Sequence, residues 1–308
     1  MTQVDQILTD LTLLKQLQKL VKNAELIQSD PFQAFKDELS RKLMWLRPSV
    51  NGISAISCCE KTPQLGFPKI SISNLAKKME EQLFPPKRST PEKHLQSWLI
   101  QRALKSGGGV EVLDKELGGQ YWFVSDEIAL KTASEKVVAD LLLVRVDSDG
   151  LASLVNAELK SNRVMETFRQ VILFRKALEN PDLQEGWKTF AEVMTRQNFQ
   201  WHPSKQTDGI VIWPAVGDKS MNALANEKRK GYERVDVIGY KCDSKTKEYS
   251  FYCERVRLKK STVIDEWQEE DGQWWRKTVV RDTATVVKLV TRKIDALNRA
   301  TPSTDHAE

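Results

Sequence analysis

Cysteine and histidine, the residues from which proteins build zinc sites, are scarce in this sequence. The chain of 308 residues has four cysteines and three histidines. No two of the cysteines have the C-x-x-C spacing that zinc sites commonly use; they are Cys58, Cys59, Cys242 and Cys253. We therefore expect reduced thiols and no zinc centre.

Long apolar runs are also absent. No stretch approaches the roughly 20 apolar residues that a helix needs to cross a bilayer. The start, Met-Thr-Gln-Val-Asp-Gln, has neither the basic residues nor the apolar segment of a secretion signal. These absences predict a cytoplasmic protein that does not enter a membrane.

The excess of positive charge is small. The formal net charge is +5, and the sequence pI is about 8.9. Such a balance is compatible with a polyanionic partner but does not require one. The 29% charged and 40% hydrophobic residues are typical of a globular protein, and the length allows one large core with appendages or two domains.

A proline-rich linker, Pro85-Pro86-Lys-Arg-Ser-Thr, divides the chain. Before it, apolar residues recur at helical spacing over residues 3–28, and the pair Asp30-Pro31 predicts the start of a second helix with Asp30 as its N-cap. Leu43 and Leu46 continue the apolar stripe of that helix. The predicted division is an N-terminal helical accessory region (1–86), a core (87–260) and a strand-rich extension with a polar tail (261–308).

Short helices and strands alternate in the predicted core. The pair Thr90-Pro91 begins a helix that stops at Gly107-Gly-Gly109. The predicted strands are 110–113, 121–124, 137–146, 151–160, 208–216, 235–242 and 249–256. Helices are predicted at 165–178, 221–228 and, before the linker, 74–84, while 182–207 is predicted to be irregular or partly helical.

Two apolar runs on either side of an Asp-Gly turn, Asp147–Gly150, predict a pair of adjacent strands. The first run is apolar on both faces, which is expected of a strand covered by helices on both sides. Asp140 lies within it. A carboxylate buried there costs several kcal/mol unless a cation or a metal ion compensates it.

The second run carries a polar face. Side chains alternate along a strand, so Asn156, Glu158 and Lys160 share one face. The other face carries Val155, Ala157 and Leu159. A polar face ending in Glu-x-Lys therefore lies beside a strand with a buried aspartate.

This order of elements resembles the core of the restriction-endonuclease-like superfamily, the PD-(D/E)xK phosphodiesterases. Asp140 matches the first acid of the motif, after Ala139 in place of proline, and Glu158 and Lys160 match (D/E)xK. The segment from Gln170 to Phe174 resembles the Q-h-x-x-Y motif of the RecB-like branch, with phenylalanine in place of tyrosine. Over roughly residues 90–258, the resemblance implies an α/β fold with a mixed central sheet flanked by helices.

The resemblance also implies a metal-dependent nuclease, with DNA as the expected substrate. Asp140 and Glu158 would bind Mg²⁺ or Mn²⁺ through their oxygens, and Lys160 would assist the attacking water. Gln170 joins the candidate catalytic set, and Glu92 is a further candidate metal ligand. The alternative is a catalytically inactive nucleic-acid-binding or scaffolding protein on the same fold.

Each candidate residue also has a structural interpretation. Asp140 and Lys160 could form an ion pair between neighbouring strands, and Glu158 could lie on the surface at the sheet edge. Gln170 could lie on a helix surface, and Glu92 could stabilise the dipole of the helix that it begins.

Possible contacts to nucleic acid lie late in the chain. Basic residues cluster at Lys228, Arg229, Lys230, Arg234, Arg255, Arg257, Lys259 and Lys260. Such side chains suit a phosphate backbone, and Trp274 and Trp275 suit stacking on unpaired bases. Solvated charge and ordinary packing are the alternative. A second acid-x-Lys tripeptide, Asp243-Ser-Lys245, is interpreted as an exposed turn.

Overall fold

The computed structural model describes residues 11–57, 90–131, 136–163, 166–203, 207–215, 235–253, 266–270 and 273–277. Its helices are α1 (Leu11–Gln28), α2 (Asp30–Arg41), α3 (Pro91–Lys105), α4 (Glu111–Leu117), α5 (Glu166–Glu179) and α6 (Gln184–Thr195). Its strands are β1 (Met44–Ser49), β2 (Gly52–Ser57), β3 (Gln120–Lys131), β4 (Lys136–Val146), β5 (Leu151–Leu159), β6 (Gln200–Trp201), β7 (Asp208–Pro214), β8 (Val235–Cys242), β9 (Tyr249–Cys253), β10 (Glu266–Glu270) and β11 (Gln273–Lys277). Among the described helices, none is long and apolar enough to cross a membrane.

A mixed sheet in the order β3-β4-β5-β7-β8-β9 forms the centre of the fold, with β6 paired to β5. Strand β4 is antiparallel to its neighbours β3 and β5, whereas β5, β7 and β8 run parallel and β9 is antiparallel to β8. The carboxyl ends of the three parallel strands therefore meet at one edge. In α/β sheets this edge is the usual place for a ligand.

Helices cover both faces of this sheet. Leu142 and Leu154 point into a cluster with α1, α2, α5 and α6. Leu141 and Val155 point into a second cluster with α3 and α4. Apolar side chains on both faces of β4 and β5 explain this layering. The predicted α/β architecture, a mixed central sheet flanked by helices, is confirmed.

The turn between β4 and β5 confirms the predicted strand pair. The Asp147 side chain accepts hydrogen bonds from the backbone N–H groups of Asp149 and Leu151, both at 2.9 Å. Gly150 has φ 78°, a backbone conformation that glycine adopts without strain. The helix after β5, strand β7 and the β8–β9 hairpin also agree with the prediction.

The region before the linker is not helical throughout. Helix α2 begins with Ser29 as its N-cap rather than Asp30. It ends at Arg41, and Leu43 has φ 57°, which lies outside helical geometry. Leu46 then lies in β1, which pairs with β2 as an antiparallel hairpin. The continuation of the apolar stripe to Leu43 and Leu46 was therefore wrong, because hairpin pairing takes over after α2.

Residues 110–113 do not form the predicted strand. They lie at the start of α4, whose buried residues Leu113 and Leu117 are four positions apart, with Val110 buried just before. This spacing is helical, but a run of four residues is too short to distinguish the helical period from the strand period.

Residues 184–195, within the segment predicted to be irregular or partly helical, form a regular helix. Its buried residues recur at spacings of one, three and four and are Trp187, Phe190, Ala191 and Met194.

The N-terminal helices share their core with the sheet. Leu13, Leu17 and Leu20 of α1 are each about 1% exposed and belong to the same cluster as Val124 and Ile128 of β3. The predicted helices at 74–84 and 221–228 and the strands proposed after residue 277 lie outside the described residues. The packing joins residues 11–57 to the predicted core.

Gly209 allows α5 to lie close to β7. A Cβ at this position would collide with Val171 Cγ1 and come within 3.2 Å of Arg175 Cδ. Val171 is fully buried and its side chain is stiff at χ1.

Gly209→Ala should therefore lower the free energy of unfolding by about 1–3 kcal/mol. Urea denaturation measures this change. Gly109→Ala is the matched control, because its Cβ would meet only Ser106 O at 3.9 Å; equal losses in both variants would contradict the prediction.

Candidate active site

The candidate site lies where β4 and β5 separate. Their pairing ends at Leu141 and Ala157, while β5 goes on pairing with β7 as far as Leu159. Beyond the last pair, the Asp140 carboxylate accepts a hydrogen bond from the backbone N–H of Leu159 at 2.8 Å. Asp140 thus occupies the opening between the two strands.

Glu158 and Lys160 point the same way from the end of β5, as predicted. Lys160 Nζ lies 2.6 Å from Glu158 Oε1. Glu158 is 4% exposed on a central strand, so the interpretation as a surface residue at the sheet edge was wrong. Within the described part of the chain, the partner of Lys160 is Glu158 rather than Asp140, so the alternative interpretation of an Asp140–Lys160 ion pair between strands is not supported.

One oxygen of Glu158 has no hydrogen-bond partner among the described residues. Oε1 is bonded to Lys160, whereas Oε2 is buried and accepts no hydrogen bond of normal geometry from the described residues, although the backbone N–H of Asp140 lies close enough to lower the pKa of Glu158. A buried carboxylate oxygen without a donor is costly unless something else compensates it. The geometry therefore leaves one buried acceptor on Glu158 for a further group.

Burial is the largest influence on the ionisation of both acids. It raises the pKa of Glu158, and the nearby Asp140 raises it further, to about 7. Burial also raises the pKa of Asp140, although the Leu159 N–H and the charges of Lys93 and Lys160 oppose the rise. The two acids therefore resist being ionised together, and a cation between them would relieve that repulsion.

Lys160 remains a cation in this environment. Burial lowers its pKa, but Glu158, through its charge and its hydrogen bond, and Asp140 raise it more, so the pKa lies above the usual lysine value. Its side chain is 20% exposed. Lys160 thus presents a positive charge at the carboxyl edge of the sheet.

Glu92 anchors α3 to the end of β5. Its Oε1 accepts hydrogen bonds from the Ser161 backbone N–H at 3.0 Å and from Ser161 Oγ at 3.2 Å. Thr90 caps the same helix as predicted, because its side chain accepts from the Lys93 N–H at 3.3 Å. Glu92 is close enough to Asp140 to raise the pKa of that acid. Its Oε1 thus fixes the strand end, and the role of Glu92 as a metal ligand stays a prediction.

Gln170 is not a residue of an exposed helix surface. Its amide Oε1 is buried and has no hydrogen-bond partner among the described residues. Helix α5 covers the face of β5 that carries Glu158, since Asn156 Nδ2 on that face donates to Val171 O at 3.2 Å. Phe174, at the position of the motif tyrosine, is fully buried against Trp187, with ring centroids 6.0 Å apart.

The sequence reasoning missed a second polar group on the α3 side of the sheet. Asp126 of β3 is fully buried, and Lys93 of α3 pairs with Glu127 and donates to Gln96 Oε1 at 3.0 Å. Burial lowers the pKa of Lys93, and Asp140 is the strongest of the charges that oppose this. The sequence signal was weaker than that for Asp140, because Asp126 lies between the polar residues Ser125 and Glu127 in β3.

The donor set fits a magnesium or manganese ion. No cluster of three or more His, Cys, Asp or Glu side chains suited to a metal occurs in the described ranges. Mg²⁺ does not need such a cluster, because it keeps several waters and is commonly held by one or two carboxylates together with substrate phosphates. Asp140 and Glu158 are the two carboxylates that would supply such ligands.

The predicted nucleic-acid contacts lie largely beyond the described residues. The basic clusters at 228–234 and 255–260 fall outside the described ranges, and the side chains of Trp274 and Trp275 are likewise not described. Asp243-Ser-Lys245 lies in the exposed β8–β9 turn, where Asp243 Oδ1 accepts from the Lys245 N–H at 2.7 Å. Its interpretation as a turn is confirmed.

Comparisons with protein-family models, curated proteins and solved structures give no match. The function has to be argued from the residues of this chain.

The raised pKa of Glu158 predicts an unusual pH dependence. The folded protein keeps a proton between pH 4.5 and about 7 that the unfolded chain has lost. In EDTA, the free energy of unfolding should therefore fall as the pH rises through this window, by on the order of 2 kcal/mol.

Glu158→Gln removes one of the two acids with a raised pKa, so the fall over this window should become clearly smaller. The lost charge beside Lys160 shifts the whole curve of the variant by an amount that does not depend on pH in this window. Urea denaturation from pH 4.5 to 8 compares the two proteins. Parallel curves would contradict the prediction.

Proposed function

We propose that this protein is a divalent-metal-dependent nuclease that hydrolyses phosphodiester bonds, with DNA as its substrate. The main observation behind the proposal is that three polar side chains lie near one another at the carboxyl end of the central strand β5. Asp140 lies in the opening between β4 and β5, Glu158 keeps a buried oxygen without a partner, and Lys160 contacts Glu158 at 2.6 Å.

The order and pairing of the elements support a restriction-endonuclease-like core. The chain runs α3, α4, β3, β4, β5, α5, α6, β6, β7, with β4 antiparallel to β3 and β5 and with β5 parallel to β7. Asp140 lies on the second of these strands, and Glu158 and Lys160 lie on and just after the third. This is the arrangement that the PD-(D/E)xK resemblance implies.

The three residues have complementary roles in this proposal. Asp140 and Glu158 would hold Mg²⁺ or Mn²⁺, and a bound ion would lower the pKa of water and offset charge on the scissile phosphate. The pKa of Lys160 lies above its usual value. We therefore assign it the role of a cation that orients the phosphate and offsets developing negative charge, rather than that of a general base.

A binding or scaffolding protein without turnover is the second candidate, and one observation favours it. The Asp140 carboxylate already accepts the Leu159 N–H, and Glu158 already has Lys160 as a partner. Both acids therefore have structural roles that need no metal. Cleavage assays separate the two candidates.

The first test is cleavage of plasmid and linear DNA in Mg²⁺, Mn²⁺ or EDTA. Metal-dependent cutting is expected from the wild type, and Asp140→Asn and Glu158→Gln should abolish it while DNA binding persists. Both should also weaken Mn²⁺ binding in calorimetry. Asp243→Asn is the control, because it changes an exposed acid in a turn. DNA binding without cutting in any metal would favour the scaffold.

Lys160→Met tests the assigned cation. Loss of one charge-stabilising group should lower the single-turnover cleavage rate by at least about a hundredfold. Mn²⁺ affinity should be retained or rise, because a positive charge has been removed from beside Glu158. Lys245→Met, in the exposed turn, should cut at the wild-type rate. A Lys160→Met protein with a lowered melting temperature and an unchanged cleavage rate would end the catalytic assignment.

A further inference from the structure

We propose that Gln96 is a positioning residue through which the N-terminal hairpin, β1–β2, holds Asp140 in place. Its predicted effect on cleavage rests on the proposed nuclease function, whereas its effect on the backbone near Asp140 does not. A continuous set of hydrogen bonds links the hairpin to Asp140.

The first link joins the hairpin to β3. Arg47 of β1 donates from Nε to Asp126 Oδ1 at 2.8 Å and from Nη2 to Asp126 Oδ2. Trp45 Nε1 donates to the same Oδ1 at 3.0 Å. Asp126 is fully buried, so these three donors compensate a charge that water does not reach. The two hydrogen bonds from the Arg47 guanidinium, one to each oxygen, thereby fix the orientation of the Asp126 carboxylate.

The second link joins Asp126 to Asp140 through Gln96. The amide nitrogen of Gln96 lies 3.5 Å from Asp126 Oδ2 and donates to the backbone carbonyl of Asp140 at 2.8 Å. Its amide oxygen accepts from Lys93 Nζ at 3.0 Å. Gln96 is 1% exposed, and these contacts to both ends of its amide allow one orientation. Gln96 thus holds the carbonyl of Asp140 from the α3 side of the sheet.

Asp140 needs such a support because the sheet is irregular around it. On one side, pairing with β5 has ended at Leu141. On the other side, Glu127 lies between the paired residues Asp126 and Ile128 and has φ 51°, far from the extended conformation. Where ladder pairing is interrupted, side-chain hydrogen bonds hold the backbone instead. Gln96 holds the carbonyl of Asp140 and Leu159 holds its carboxylate.

The position of Asp140 matters for the rate more than for substrate binding. Catalytic groups act within about 0.5 Å of their productive geometry, and a displacement of about 1 Å costs around a hundredfold in rate. Loss of the Gln96 support should therefore lower kcat and leave KM nearly unchanged. A purely structural role would lower the melting temperature without this split.

The experiment compares Gln96→Met with Gln101→Met, the same change further along α3. Methionine keeps the length of the side chain and removes the amide. Hydrogen exchange at the Leu159 amide, measured by NMR, should become at least about tenfold faster in Gln96→Met, because the Asp140 acceptor is no longer fixed. The kcat for DNA cleavage should fall about tenfold or more while KM changes less than about twofold. Gln101→Met should leave both unchanged.

Arg47→Lys provides a second variant if Gln96→Met is poorly folded. This variant keeps a positive charge beside Asp126 but loses the paired hydrogen bonds of the guanidinium. Asp126, and through it Gln96 and Asp140, should then be held less firmly, so the Leu159 amide should again exchange faster. Unchanged exchange at Leu159 in either variant, when folded, overturns the proposal. A wild type that does not cut DNA rejects the proposed function, and the exchange data then still decide whether Gln96 positions Asp140.

Discussion

The hydrogen bond from the Leu159 N–H to the Asp140 carboxylate is the interaction on which the candidate site depends. It forms where β4 and β5 stop pairing, so a side chain replaces the ladder between the strands. Without it, the separated strands would leave backbone groups unpaired in a buried region. The same bond brings an acid near Glu158, the residue that precedes Leu159 in β5.

Two acids held together in a buried region create an electrostatic problem that the surrounding cations only partly relieve. Burial and the charge of Asp140 raise the pKa of Glu158 to about 7, although Lys160 opposes this rise. Burial also raises the pKa of Asp140, and there Lys93 of α3 and Lys160 both oppose the rise. Glu158 Oε2 remains buried without a partner among the described residues. A divalent cation would reduce the repulsion between the two acids and would also give the unpaired oxygen of Glu158 a partner. This is the physical basis of the nuclease proposal.

The N-terminal hairpin takes part in this arrangement. Arg47 compensates the buried Asp126, and helix α1 shares a core with β3. Removing one partner of a buried ion pair leaves an uncompensated charge, which is more damaging than losing the pair as a whole. The region before the linker thus contributes to the stability of the sheet, and through Gln96 it reaches the backbone of Asp140.

The sequence by itself determined β4, β5 and the shared face of Glu158 and Lys160, because strand periodicity and the Asp-Gly turn are local properties. It also singled out Asp140 from its apolar neighbours, although the folded chain leaves that residue half-buried. Tertiary structure decided the partners. Lys160 pairs with Glu158 rather than Asp140, β1 forms a hairpin where a helical stripe was expected, and Arg47 meets an acid 79 positions away. Such contacts depend on how distant segments pack, and local periodicity carries no information about that.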